Sequence, residues 1–245
     1  MIPLPPSITA DRDIAAEESL VERARQWLSA DDRKEGIHAS DLLKPRQAYF
    51  KHVDPRPWSA REVGLFLVGK VLHAFILSDG DATGVDVRAT DEGSTYSEEL
   101  GLWYSPDHVG DDIPVELKTS RAQYPPKSIG DMETYLQQLL IYMAAKKKTE
   151  GRLVVFYISA RDEARKTSPK FEVYDVRITQ EELEATTYEV RRLRNELSDA
   201  LVAKKFDRLP LCPAWLCHPE QCPYWNQCKP PGRYENRAYL EGKRK

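Results

Sequence analysis

The stretch Tyr-Ser-Pro-Asp-His-Val-Gly-Asp-Asp-Ile-Pro-Val-Glu-Leu-Lys-Thr, residues 104 to 119, constrains this chain more than any other. An acidic residue follows a proline, a polar turn intervenes, and Glu116 and Lys118 then stand two apart in a run with the composition of a strand. Side chains two apart on a strand share a face. Glu116 and Lys118 are therefore expected to project together while Val115 and Leu117 go into the core, and Asp107 joins them if its own strand pairs alongside. Two carboxylates and one ammonium converging on one point suit a divalent cation and a phosphate, not a hydrophobic core. Asp111 and Asp112 are rivals to Asp107, but a Gly-Asp-Asp run is a common turn composition in which aspartate carries no function, so Asp107 is the expected ligand.

The rest of the chain supplies elements to hold such a hairpin. Residues 14 to 30 have helical apolar spacing, and Ser40 or Asp41 is a plausible cap for a short helix interrupted by Pro45. Ser59 with Glu62 three residues on reads as a capping box opening a well-buried helix through Val63, Phe66, Leu67, Val71 and Phe75. His73 on that helix, flanked by Leu72, Ala74 and Phe75, reads as a core histidine when taken alone. Short strands are expected near 85 to 89, from Gly101 into Asp107, and from Ile113 to Thr119, with a turn at 109 to 112. The loop 120 to 130 carries Arg121, Tyr124 and Lys127, residue types that contact a phosphate backbone. A helix from Asp131 to about Lys146 puts Gln138 and Tyr142 four apart on one face. Strands at 153 to 159 and 171 to 178 follow, then a long helix capped by Thr179.

This order implies an α/β (α+β) fold, a mixed central sheet flanked by helices. Residues 1–58 form an N-terminal helical segment packed on the core, 59–205 the core itself, and 206–245 a cysteine-rich cap with a basic tail, all in one structural unit. The net charge of -3 means that any phosphate-binding surface must be local, and residues 229 to 245 hold six Lys or Arg against two Glu. No signal-like or membrane-spanning apolar run is present, so a cytoplasmic location is expected. In that reducing setting Cys212, Cys217, Cys222 and Cys228, all within 17 residues, read as a metal or iron–sulfur site before they read as disulfides.

The succession Gly69-x-x-x-His73, Pro106-Asp107, Glu116-x-Lys118, Gln138-x-x-x-Tyr142 and a terminal cysteine group resembles the RecB-like branch of the PD-(D/E)XK nuclease superfamily. Its nearest counterparts look like the CRISPR-associated RecB-like exonucleases and the iron–sulfur nucleases of bacterial recombination. The resemblance spans about residues 37 to 230 and extends to Ser40-Asp41-Leu42-Leu43 with Arg46 and Tyr49. It implies that His73, Asp107, Glu116 and the Leu117 backbone carbonyl ligate Mn²⁺ or Mg²⁺, that Lys118 is catalytic, and that Gln138 and Tyr142 orient the substrate or the lysine. Relatives with a [4Fe-4S] cluster draw one cysteine from the N-terminal motif, where this chain has Lys44; Cys212 is the expected replacement, with Zn²⁺ the competing occupant.

The activity implied is exonucleolytic hydrolysis of DNA at single-stranded ends or flaps. The partners implied are CRISPR integration or recombination proteins. Two other readings stay open, a non-catalytic nucleic-acid-binding or assembly subunit that keeps the fold, and an RNA-directed nuclease.

Overall fold

In the computed structural model, the structure describes residues 14–29, 34–78, 94–110, 113–124, 132–161, 164–212, 217–219 and 221–229, with side chains 14–17, 20, 27–29, 72–78 and 108–110 excepted. The strand expected near 85 to 89, Asp111, Asp112, Lys127 and the basic tail after Lys229 lie outside these residues.

The N-terminal part holds helices α1 (Ile14–Ser29), α2 (Ala39–Leu42), α3 (Pro45–Val53) and α4 (Ala60–Ser78). Pro45 does not break a helix but starts one, since the first helical position needs no N–H. Strands β1 (Thr95–Ser97) and β2 (Leu102–Tyr104) pair as a small antiparallel ribbon. Gly101, between them, has φ +66, and a Cβ there would come within 2.9 Å of the Arg194 side chain, so glycine is required on two counts.

The main sheet has the order β3 (His108–Gly110), β4 (Ile113–Ser120), β5 (Glu150–Tyr157), β6 (Lys170–Arg177). β3 and β4 form an antiparallel hairpin, β4 and β5 run parallel through the crossover helix α5 (Glu133–Lys146), and β6 is antiparallel to β5. Helix α6 (Gln180–Ala203) opens with Thr179 and Glu182 in a reciprocal capping box, and α7 (Trp225–Cys228) closes the described chain. The Ser59 and Glu62 pair makes the same kind of contacts ahead of α4.

The expected burial of Val115 and Leu117 holds, and one other expectation needs correction. Val115 and Leu117 are buried, but with Val154 they form a small separate cluster. The main core, which contains Leu139, Tyr142, Met143, Leu153 and Val155, lies on the opposite face of β4 and β5, the face that carries Glu116 and Lys118. The physical reason is the crossover: α5 must pack back on the sheet it connects, and it covers that face. Helix α4, among its described side chains, is less buried than its apolar composition implies. Val63 is covered, while Phe66 and Val71 are 45% and 51% exposed, and α4 packs chiefly on α1 and β4.

Candidate active site and cysteine cap

The β3–β4 hairpin brings the sequence-distant acids together. Asp107 ends the approach to β3, and its Oδ2 accepts a hydrogen bond from the Leu117 N–H at 2.7 Å, which fixes the carboxylate against the middle of β4. Glu116 and Lys118 occupy alternate positions of β4, opposite Leu153 and Val155 of β5, and so share a face as the strand period requires. Lys118 Nζ ion-pairs with Glu116 Oε1.

Glu116 is 1% exposed; its Oε1 meets the Lys118 ammonium, and its Oε2 has no hydrogen-bond partner. Burial, reinforced by the Asp107 charge, pushes its carboxyl up to about 8 despite Lys118. Burial works against the Lys118 ammonium, but Glu116 and Asp107 outweigh it and hold that group above the usual lysine range. The ion-pair contact and the raised carboxyl are reconciled by one proton. At neutral pH Glu116 keeps it, and Asp107 balances Lys118.

Helix α5 completes this arrangement. Lys118 Nζ donates to Gln138 Oε1 at 2.9 Å, and Gln138 Nε2 donates to the Tyr142 hydroxyl at 2.7 Å. Tyr142 is buried, and burial together with Glu116 holds its phenol well above the usual tyrosine range, so it stays neutral. The chain Tyr142, Gln138, Lys118 therefore fixes which way the Gln138 amide points and where the ammonium stands. Tyr135, one turn before Gln138, lies in electrostatic reach of Lys118. Its spacing of three and seven from Gln138 and Tyr142 places it on their side of the helix, a signal the sequence carries.

A buried carboxylate with an unpartnered oxygen is costly unless a cation occupies it. Asp107 and Glu116 offer hard oxygen donors of the kind Mg²⁺ or Mn²⁺ takes, and such ions need only one or two carboxylates besides water and phosphate. Among the described residues no group of three or more His, Cys, Asp or Glu side chains could hold a metal by itself. The backbone of His73 lies in α4, its side chain outside the described set. Arg121 and Tyr124 follow β4 directly, with Tyr124 60% exposed, and the loop is pinned to the end of β5 by bonds from Ile158 N–H to Ser120 and from Arg161 N–H to Gln123.

The four cysteines are not joined in disulfides and lie, two buried and two half-buried, around one cavity also lined by Arg46, Gln47, Phe50 and Trp225. The first turn of α3 reaches into it. The Gln47 N–H bonds to the Cys212 sulfur, Arg46 Nη1 approaches the Cys228 sulfur at 3.9 Å, and the Tyr224 N–H bonds to Cys222. N–H donors on sulfur suit a soft metal, although the thiols are not drawn together as a closed ligand set. Burial first, then the neighbouring cysteines, pushes the Cys212 thiol up to about 11. Arg46 also donates to the Leu209 and Asp207 carbonyls, both at 2.8 Å, and lies over the Phe206 ring. Phe50 stacks on Tyr224, and Gln227 donates to Asp54. These contacts tie the two ends of the chain together through Arg46, a role that local sequence pattern does not signal.

Residues 109–229 match the family model described as the PD-(D/E)XK nuclease superfamily. Glu116, Lys118, Gln138, Tyr142 and all four cysteines fall inside the matched segment, and Asp107 lies just before it. The crystal structure of SSO0001 superposes with a TM-score of 0.54 at 17% identity, covering 91% of this chain and 98% of that one, a likeness of fold. No curated protein matches.

Proposed function

We propose, on the premise that residues 109–229 form a PD-(D/E)XK nuclease superfamily domain, that this protein is a metal-dependent deoxyribonuclease. It acts as an exonuclease on single-stranded ends or flaps and serves recombination, repair or CRISPR spacer acquisition in the cytoplasm, with integration or recombination proteins as partners. One observation carries the reading: a fully buried carboxylate, Glu116, with its Oε2 unpartnered, beside Asp107 and an oriented ammonium.

When bound, Mn²⁺ or Mg²⁺ neutralises phosphate charge and eases ionisation of water. Asp107 and Glu116 would hold the ion, with the Leu117 carbonyl and His73 as the further ligands. Lys118 holds the attacking water in line or steadies charge growing on the phosphate oxygens, and Gln138, locked by Tyr142, keeps it from swinging away. Arg121 and Lys127 take backbone phosphates, and a base stacks on the exposed Tyr124 ring. The cysteine cap binds a [4Fe-4S] cluster, with Zn²⁺ as the alternative. The shared cavity and the N–H donors on three sulfurs support a soft metal there. Broad visible absorbance in anaerobically purified protein separates the two, since zinc has none.

The test is digestion of matched single-stranded DNA, duplex DNA and RNA, labelled at either end, with and without Mn²⁺. Metal-dependent loss of single-stranded DNA that Glu116→Gln abolishes supports the reading. Binding without cleavage of any substrate favours the assembly-subunit reading, and cleavage of RNA alone favours the RNA-directed one.

A further inference from the structure

We propose that Ser120 and Arg161 form a further substrate subsite, which holds backbone phosphates of a single DNA strand as it leaves Glu116 and Lys118. The inference rests on the nuclease reading above. Glu116, Lys118 and Ser120 take alternate positions of β4, opposite Leu153, Val155 and Tyr157 of β5. All three partners belong to the main core, so the three polar side chains share one face. Each step along that face is about 6.7 Å, two residues of strand. Glu116 is buried, whereas Lys118 and Ser120 are half-buried, so the row opens toward Ser120, the last residue of β4.

The Ser120 Oγ accepts the Ala122 N–H at 3.2 Å, which fixes the hydroxyl oxygen and leaves its proton to donate. Among the described residues nothing accepts that proton. The Ser120 carbonyl takes the Ile158 N–H at 2.9 Å and the Gln123 carbonyl takes the Arg161 N–H at 2.8 Å, so the loops after β4 and β5 run side by side. The second loop is closed in turn by the Ser168 N–H on the Ala160 carbonyl at 2.7 Å and by the bridge between Arg161 and Thr167. Arg161 thus rises from a backbone held on both sides, and its bonding partner Gln123 follows Lys118 by at most about 18 Å of chain. Arg121 and Arg161 are both exposed, and among the described residues no carboxylate pairs with either. Both loops leave the carboxyl ends of the parallel strands β4 and β5, the end of an α/β sheet at which ligands sit. A free O–H donor followed by a guanidinium without a counter-charge suits an acceptor that is anionic and repeats, and a strand brings one phosphate per nucleotide. The phosphate at Lys118 is followed by one at the Ser120 hydroxyl and then by one at Arg161.

Ser120→Ala removes the hydroxyl and Ser120→Thr keeps it, while Arg161→Gln removes the charge and Arg161→Lys keeps it. Each is placed in the Glu116→Gln background, and binding of a fluorescein-labelled single-stranded DNA oligonucleotide is followed by anisotropy across salt concentrations. Arg161→Gln should weaken binding several-fold and reduce the salt slope by about 0.7, one phosphate contact on a single strand. Ser120→Ala should weaken binding several-fold with the slope unchanged, because a neutral hydroxyl displaces no counterion. Ser120→Thr and Arg161→Lys should restore most of each loss. With Glu116 present, both losses should appear as a raised KM on a long strand and vanish on a dinucleotide, which offers only the phosphate at Lys118. Affinity and slope equal to those of the parent in Ser120→Ala and Arg161→Gln overturn the proposal. So does an equal loss on the dinucleotide, which would place the effect at the reacting phosphate or in the fold. A parent chain that binds the strand but never cleaves it removes the nuclease reading, and the salt slopes still decide the subsite. Cleavage with both variants indifferent removes the subsite alone, and a chain that binds no strand overturns both.

Discussion

Replacing Glu116 by Gln in metal-free protein should change how stability depends on pH, and by an amount the structure sets. The Glu116 carboxyl keeps its proton until about pH 8, against 4.5 for an ordinary glutamate. Between those values the folded chain binds one proton more than the unfolded chain, so stability falls as pH rises. The contribution is fully present below about pH 4.5 and is lost by the time pH has passed about 8. At ~1.4 kcal/mol per pH unit, the whole loss over the shift from 4.5 to about 8 is about 5 kcal/mol. Glutamine is close in shape to the protonated acid and cannot ionise. Glu116→Gln should therefore match the parent near pH 5 and exceed it at pH 9, by about 10 °C in melting temperature for a chain of this size. Calorimetry or circular dichroism in chelator-containing buffer, from pH 5 to 9, measures both curves. Adding Mn²⁺ should flatten the parent's slope, because the cation displaces the proton. A parent whose stability rises with pH over this range, or a glutamine variant that tracks it at every pH, refutes the reasoning.

Three further outcomes follow from the same contacts. Gln138→Leu removes both the acceptor for Lys118 and the donor to Tyr142, and should lower kcat about tenfold to a hundredfold with little change in KM, read from initial rates with Mn²⁺. Asp107→Asn keeps an oxygen for the Leu117 N–H but loses the charge, so the protein should fold and fail to cleave, whereas Asp112→Asn should cleave normally; the reverse result would reassign the first acid. Arg46→Ala strands the Leu209 and Asp207 carbonyls and uncovers Cys228. It should destabilise the fold by about 3 kcal/mol and speed reaction of the cysteines with a thiol reagent.

The strand period alone places Glu116 and Lys118 on one face of β4, and helical spacing alone places Gln138 and Tyr142 on one face of α5. Both are local properties, which is why they are legible in the sequence. Which face of β4 meets the main core is not local. It depends on the crossover of α5 between parallel strands, and alternation along Val115, Glu116, Leu117 and Lys118 is consistent with either side. The exposure of Phe66 and Val71 has the same origin, since composition states how apolar α4 is and not how many elements cover it. The contacts of Arg46 with residues some 160 positions away come from tertiary packing of α3 on the end of α6. The spacing of the four cysteines indicates a cluster, and only the fold brings the first turn of α3 to Cys212.

The most direct test of the central claim is digestion of end-labelled single-stranded DNA by the parent chain and by Lys118→Ala, side by side, with Mn²⁺ and with chelator. Lys118 touches Glu116 and Gln138 and lies in electrostatic reach of Asp107. The expected result is progressive Mn²⁺-dependent loss of the labelled strand with the parent, none with chelator, and a rate at least a hundredfold lower with Lys118→Ala. Undiminished cleavage by Lys118→Ala, or no cleavage by the parent under any metal, would contradict it.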